Sequence, residues 1–261
     1  MTAQLDSLYR TILEYATQVT GGNDLSHKRS DPALREGLKE ILGYITVLRD
    51  PLSLSSLARL TKIDEYEISH RLYHTHSVLK ISDNVDATIE LYHPSFRDFL
   101  HDRERCGQDF WIDSVDVHRT LASMSLSAMS GPLGLVRDVL GKKSPGTCRM
   151  EVSTEETESI SRVLAYTCRQ WVHHLVHGGK TLEDGDEVHL FLQVHLLHWI
   201  ETMSWLGHTS DSISQVGMLL SLAEVQISTS DMEALLTRAE IIAIAKDKRF
   251  SDRRTTVHAP Q

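Results

Sequence analysis

Fifteen histidines in 261 residues are the first invitation to chemistry. His70 and His74 stand at i, i+4, a spacing that brings two imidazoles to one ion if the segment is helical. His173 and His177 repeat it, and His195 and His198 stand at i, i+3. A zinc protease helix also needs the H-E-x-x-H glutamate and a third ligand. Neither is spelled here, so the histidines read as exposed or core-edge residues and no metal is expected. A phosphate loop, G-x-x-x-x-G-K-[ST], is absent. Its nearest string, Gly141-Lys142-Lys143-Ser144, has Lys where a magnesium-binding hydroxyl belongs and Val136 where the first glycine belongs. Glu183, Asp184, Asp186 and Glu187 cluster around Gly185 without the spacing of a calcium loop. Carboxylates there suit the first turn of a helix. Asp98 and Asp102 read as surface charge, Cys106 near His101 as an inert thiol, and no G-x-S-x-G elbow is present. No catalytic residue, cofactor or enzymatic activity is expected.

The composition narrows the class. Lys plus Arg is 27 against 36 Asp plus Glu, a net charge of −9, with 41% hydrophobic and 24% charged residues. That is a globular chain with a real core. The acidic balance opposes counterion-driven nucleic-acid binding. Cys106, Cys148 and Cys168 are too widely spaced for a disulfide framework, which points to the cytoplasm. No apolar run approaches the roughly 18 residues of a membrane span, and MTAQLDSLYR has no signal-peptide apolar region.

The elements that must position any site are mostly helices. Leu5, Leu8, Tyr9, Ile12, Leu13 and Ala16 form one face, stopped at Gly21-Gly22 and followed by a polar loop to Pro32. Leu38, Ile41, Leu42, Ile45 and Leu48 form the next stripe, which ends at Asp50-Pro51. Ser53 and Asp64 are spelled as caps for two further helices, the second running from Asp64 toward Lys80. The period then changes. Val78–Ile81 and Thr88–Tyr92 read as strands flanking the Asp83–Asp86 turn, with Ile89 and Leu91 facing inward against Ile45 and Leu72. Pro94 opens a closing helix with Phe96, Phe99 and Leu100.

Three helices, a hairpin and a closing helix spell a winged helix over 33–105. An α-helical domain over 106–249 follows, with a frayed tail over 250–261 and the end of a preceding helical segment over 1–32. Asp113 or Ser114 caps a helix bearing Val117, Leu121, Met124 and Ala128. The capping-box spelling Ser153-x-x-Glu156 opens one that carries Cys168 and Trp171 and closes at Gly178-Gly179. Another ends at Gly207, and two more lie near 211–226 and 230–247. Trp171, Trp199 and Trp205 read as core. The fold class is mainly α, a winged helix followed by an α-helical array. A winged helix also raises a DNA-binding regulator as the alternative function, but its reading helix carries Glu65 and Glu67 beside His70, Arg71 and Lys80.

Several strings resemble one family. Ile41-Leu42-Gly43, Leu48-Arg49-Asp50-Pro51-Leu52-Ser53, His76-Ser77-Val78-Leu79 and Leu91-Tyr92-His93-Pro94-Ser95-Phe96-Arg97-Asp98-Phe99-Leu100 resemble the region after the NACHT domain in fungal NLR-like STAND proteins. Gln170-Trp171-Val172-His173-His174-Leu175 and Leu197-His198-Trp199-Ile200-Glu201 resemble the helical region that follows. The resemblance implies the middle of a nucleotide-controlled oligomerisation switch in non-self recognition, as a fragment, a truncated gene model or a stand-alone paralogue. It implies a non-catalytic regulatory and scaffold role, a NACHT domain in cis or trans as partner, and homo-oligomers in a full-length context. Nucleic acid and membrane are not expected as partners. In related switches a winged-helix histidine in a Met-His-Asp-like motif contacts the bound diphosphate. His93 matches that histidine, with Tyr92 in place of Met and Pro94 in place of Asp; the alternative is that His93 only hydrogen-bonds the backbone at the strand–helix corner.

Overall fold

The computed structural model describes residues 2–18, 31–82, 84, 86–142, 149–224, 231–242 and 244. The Gly21-Gly22 stop, Cys148, Lys143, Ser144 and the tail therefore lie outside the described residues. The chain is mainly helical, and it divides into two compact units, Met1–His118 and Arg119–Gln261.

In the first unit, α1 (Thr2–Ala16) buries Tyr9 and Leu13, one turn apart, while Leu8 is 54% exposed. The contact stripe is therefore narrower than the apolar face. α2 (Pro32–Val47) opens with proline at its first turn, where the missing N–H costs nothing. Asp31 accepts the Ala33 N–H at 2.8 Å. Leu38, Ile41, Leu42, Ile45 and Leu48 are all buried. α3 (Leu54–Thr61) and α4 (Glu65–Leu72) are capped as spelled: Ser53 accepts from Ser56 N–H at 3.2 Å and Asp64 from Tyr66 N–H at 2.9 Å.

α4 stops at Leu72 and does not run on toward Lys80. A 3-10 turn, Tyr73–Thr75, follows, and the Thr75 hydroxyl donates to the Leu72 carbonyl at 2.7 Å, satisfying an acceptor at the helix end. Lys80 lies in β1 (Leu79–Lys80), antiparallel to β2 (Glu90–Leu91), with Leu79 opposite Leu91 and Lys80 opposite Glu90. A bridge pairs Ser53 with Thr88, and Ile89 N–H donates to Leu52 O at 2.9 Å. Ile89 is buried, but Leu91 is only half-buried because it opens onto a cleft beside Pro94. α5 (Pro94–His101) buries Phe96, Phe99 and Leu100. α6 (Arg103–Cys106), unannounced by any apolar period, exists because Asp102 accepts the N–H groups of Glu104 and Arg105 at 3.0 and 3.2 Å.

Polar contacts fasten α1 to this end of the unit. Arg105 donates to both carboxylate oxygens of Asp6, at 3.1 and 2.7 Å, a two-pronged pairing that fixes direction as well as distance. That guanidinium hydrogen bond holds the Asp6 carboxyl below its ordinary value. Burial likewise pushes His101 below the ordinary imidazole value; its Nδ1–H donates to Ile112 O at 3.2 Å, and Nε2 lies 3.1 Å from Thr46 Oγ1. Both folded-state values are depressed, so the unfolded chain takes up these protons first as pH falls. Stability from His101 is lost below about pH 6.5, and that from Asp6 below about pH 3.9. Urea midpoints of the first unit are expected to fall between about pH 8 and pH 5. His101→Gln is expected to flatten that slope; an unchanged slope would remove His101 as its source.

α7 (Ser114–Ser130) starts at Asp113, which accepts the Val115 N–H at 2.9 Å. In the second unit it buries Leu121, Ala122, Leu126 and Met129. The capping box at Ser153 and Glu156 forms both its bonds, at 3.2 and 3.0 Å, but opens only α8 (Thr154–Glu158). The expected single helix breaks there, and Ser161 starts α9 (Arg162–His177) by accepting from Leu164 N–H at 3.2 Å. α10 (Glu187–Trp205) and α11 (Thr209–Glu224) follow, and a further helix, α12, spans 231–242. The core gathers Trp171, Trp199 and Trp205 with Cys168, Leu192 and Val216. Gly178 is required by a close approach: a Cβ there would stand 2.8 Å from the Arg119 backbone nitrogen.

Candidate functional site

His93 lies where strand gives way to helix. Tyr92 N–H donates to Val78 O at 3.1 Å, which carries the hairpin pairing up to the corner. His93 is then extended, φ −146° and ψ 136°, and serves as the N-cap of α5. Its Nδ1 accepts the Ser95 N–H at 3.1 Å. Ser95 Oγ lies 2.7 Å from the same nitrogen and 2.8 Å from the Tyr9 hydroxyl. A nitrogen that accepts a backbone N–H carries no proton of its own. The neutral ring is therefore the Nε2–H tautomer, Ser95 donates to Nδ1, and Tyr9 donates to Ser95. Tyr9 is held in turn by its ring against Phe96 and Phe99, with centroids 5.0 and 5.4 Å apart. The outcome is an exposed imidazole with one N–H turned away from its cap. Such a group can donate one hydrogen bond to an anionic oxygen.

Beside this corner is a cleft of about 310 Å³ between the end of α2, β2 and the start of α5. Ile45, Leu48 and Ile89 form its floor, and Arg49 and Arg97 stand at its edge. The spelling His93-Pro94-Ser95 announced a helix start; nothing in it announced Tyr9, 86 residues away. Neither arginine was singled out by spacing.

The other sequence candidates pair at most two by two. His70 stacks on Tyr66, whereas His74 packs edge-on to Tyr15 and Tyr73. The rings of His173 and His177 are close, 3.9 Å between centroids, and His177 Nδ1–H donates to His173 O at 2.8 Å. His195 stacks on Phe191, and burial lowers its pKa. Among the described residues no group of three His, Cys, Asp or Glu is placed to hold a metal ion. The acidic cluster caps helices: Asp186 accepts from His189 N–H at 2.8 Å, and Asp184 accepts from Asp231 and Met232 N–H at 3.3 and 3.0 Å. Lys142 pairs with Glu156. Burial raises the thiols of Cys106 and Cys168 above the ordinary value, away from the reactive thiolate.

On α4, the would-be reading helix, Arg71 is held by Glu67 and by Glu40 at 3.2 Å, and on β1 Lys80 pairs with Glu90 at 3.4 Å. Among the described residues no helix is long and apolar enough to cross a membrane.

These features define a mainly helical, two-unit chain whose hairpin corner presents a single capped histidine. It is similar to the vegetative incompatibility protein HET-E-1 of Podospora anserina, with 26% identity over 269 aligned positions covering 93% of this chain. The chain spans 18% of that relative's length. No family model and no solved structure matches it.

Proposed function

We propose that residues 33–105 form a winged helix and that the chain is a non-catalytic regulatory and scaffold segment of a fungal NLR-like NACHT signalling protein, acting in the cytoplasm. The observation that carries this reading is the His93 corner: a string resembling the family's nucleotide-sensing segment, with its imidazole fixed as an Nε2–H donor. Similarity to a vegetative incompatibility protein over most of the chain supports it. So does the order of α2, α3, α4, hairpin and α5, with the Ser53–Thr88 bridge adding a third short segment beside β2. The partner is a NACHT domain in cis or trans. Donation from His93 Nε2–H to a diphosphate oxygen stabilises only the nucleotide-bound arrangement, so it biases a population. The DNA-binding alternative is disfavoured, because Arg71 and Lys80 are already paired with carboxylates.

The test separates cap from sensor. A NACHT domain from a close relative is joined upstream, and ADP affinity is measured for the parent, His93→Ala and His93→Ser. Serine keeps an N-cap acceptor but has no side-chain N–H and no ring to reach beyond the cap. His93→Ala is expected to cost about 0.5–2 kcal/mol of stability as a lost cap. His93→Ser is expected to keep stability and weaken ADP binding. If His93→Ser binds ADP like the parent, the sensing role is wrong.

A further inference from the structure

The cleft between the end of α2, β2 and the start of α5 has an aliphatic interior and a cationic mouth. Ile45, Leu48 and Ile89 form the floor, Leu91 one side, and Pro51 and Pro94 the rim. Among the described residues no aromatic ring and no side-chain amide lines it. A nucleobase would find neither a stacking face nor a side-chain hydrogen-bonding edge there. Arg49 and Arg97 are both exposed at the mouth, and among the described residues neither is paired with a carboxylate. Glu90 is the acid in the lining, and Thr88 Oγ1 at 2.8 Å and Lys80 Nζ at 3.4 Å already engage it. Asp98 follows Arg97 but stands about 100° further round α5. The cleft therefore keeps a local positive charge on a chain whose net charge is −9.

An exposed guanidinium on its own is satisfied by water. What singles out this pair is its placement, two planar donor forks at the edge of one aliphatic cavity. Such forks hold phosphate and carboxylate oxygens through paired N–H groups. A saturated chain suits a floor of isoleucine and leucine, because its burial needs no polar partner. The volume of about 310 Å³ stands at the lower end of the range of about 300–1,000 Å³ for small-molecule sites. We propose that this cleft binds an amphiphilic anion, its aliphatic tail on the floor and its phosphate or carboxylate head at Arg49 and Arg97. The exposed prolines at the rim leave the tail partly in water. Affinity is accordingly modest, about 1 mM for a ligand of about a dozen heavy atoms. His93 is not in the lining, and its ring is bonded to Ser95. The assignment therefore does not rest on the nucleotide reading of His93.

The test is an amide chemical-shift titration of the full chain with octyl phosphate, kept below its micelle concentration. Saturable shifts are expected at the end of α2, in β2 and at the start of α5. Inorganic phosphate carries the head alone and octyl glucoside the tail without the charge. Both are expected to bind at least about tenfold more weakly. Arg49→Gln with Arg97→Gln keeps much of the two stems and removes both charges, and is expected to weaken octyl phosphate at least about tenfold. Leu91→Trp fills the cleft from its half-exposed side and is expected to abolish binding. Circular dichroism checks that both variants stay folded. Co-sedimentation with phosphatidylcholine vesicles, with and without phosphatidic acid, then separates the sources. Binding to the acidic vesicles that the arginine variant loses names a bilayer lipid; octyl phosphate bound without it names a free amphiphile. Octyl glucoside binding as tightly as octyl phosphate, an arginine variant that binds like the parent, or ADP displacing octyl phosphate at equal concentration would each overturn the assignment.

Discussion

Trp199→Ala is expected to lower the stability of the second unit by about 3–5 kcal/mol. Its indole is wholly buried, sits edge-on to Trp171 at 5.5 Å between centroids, and donates its N–H to Cys168 O at 2.9 Å. Removing it opens a cavity at the centre of the unit's core and strips a partner from a carbonyl on α9. Against a total of about 5–15 kcal/mol for a domain, that is a large share. Trp199→Phe separates the two losses. It restores most of the volume but not the donor, so about 1–3 kcal/mol should remain missing. Urea unfolding followed by near-ultraviolet circular dichroism is the measurement. A midpoint unchanged in Trp199→Ala would mean that this side chain does not hold the core.

In the first unit, Leu72→Ala should cost about 2–5 kcal/mol. Leu72 is 1% exposed at the last residue of α4, where the chain turns toward the hairpin. Leu91→Ala is the comparison. Leu91 is only half-buried, and apolar stabilisation scales with the area removed from water, so its loss should be clearly smaller. Equal losses at the two positions would contradict the burial of one and the partial exposure of the other. Melting followed by far-ultraviolet circular dichroism distinguishes these outcomes.

What could be read from the sequence was local. Ser53, Asp64 and Pro94 announce helix starts because each acts within three residues of itself, through one side-chain acceptor or one fixed φ. The apolar stripe of α2 was legible for the same reason, since every fourth residue meets one neighbouring surface. The break at Ser161 was not legible. The run from Ser153 to Leu175 keeps a helical period through Ile160, yet Ser161 competes for the backbone and restarts the helix. α10 is apolar all round, with Leu190, Val194 and Leu197 exposed at 55%, 64% and 56%, so its pattern could not say which side is core. At the candidate site the histidine was found from its string and the cap from the proline. Tyr9 and the two arginines came only from tertiary placement, which no spacing encodes.

The fastening of α1 has a consequence for how the chain is made. Asp6 meets Arg105 across 99 residues, and Tyr9 meets Ser95 across 86. At about 5–20 residues per second, a ribosome needs roughly 5–20 seconds to deliver Arg105 after Asp6. A helix forms in about a microsecond, so α1 is ready long before its docking surface exists. Throughout that wait its apolar stripe lacks the surface of α5 and α6 on which it docks. Docking of α1 is therefore set by the order of synthesis: it waits until α5 and α6 have been made.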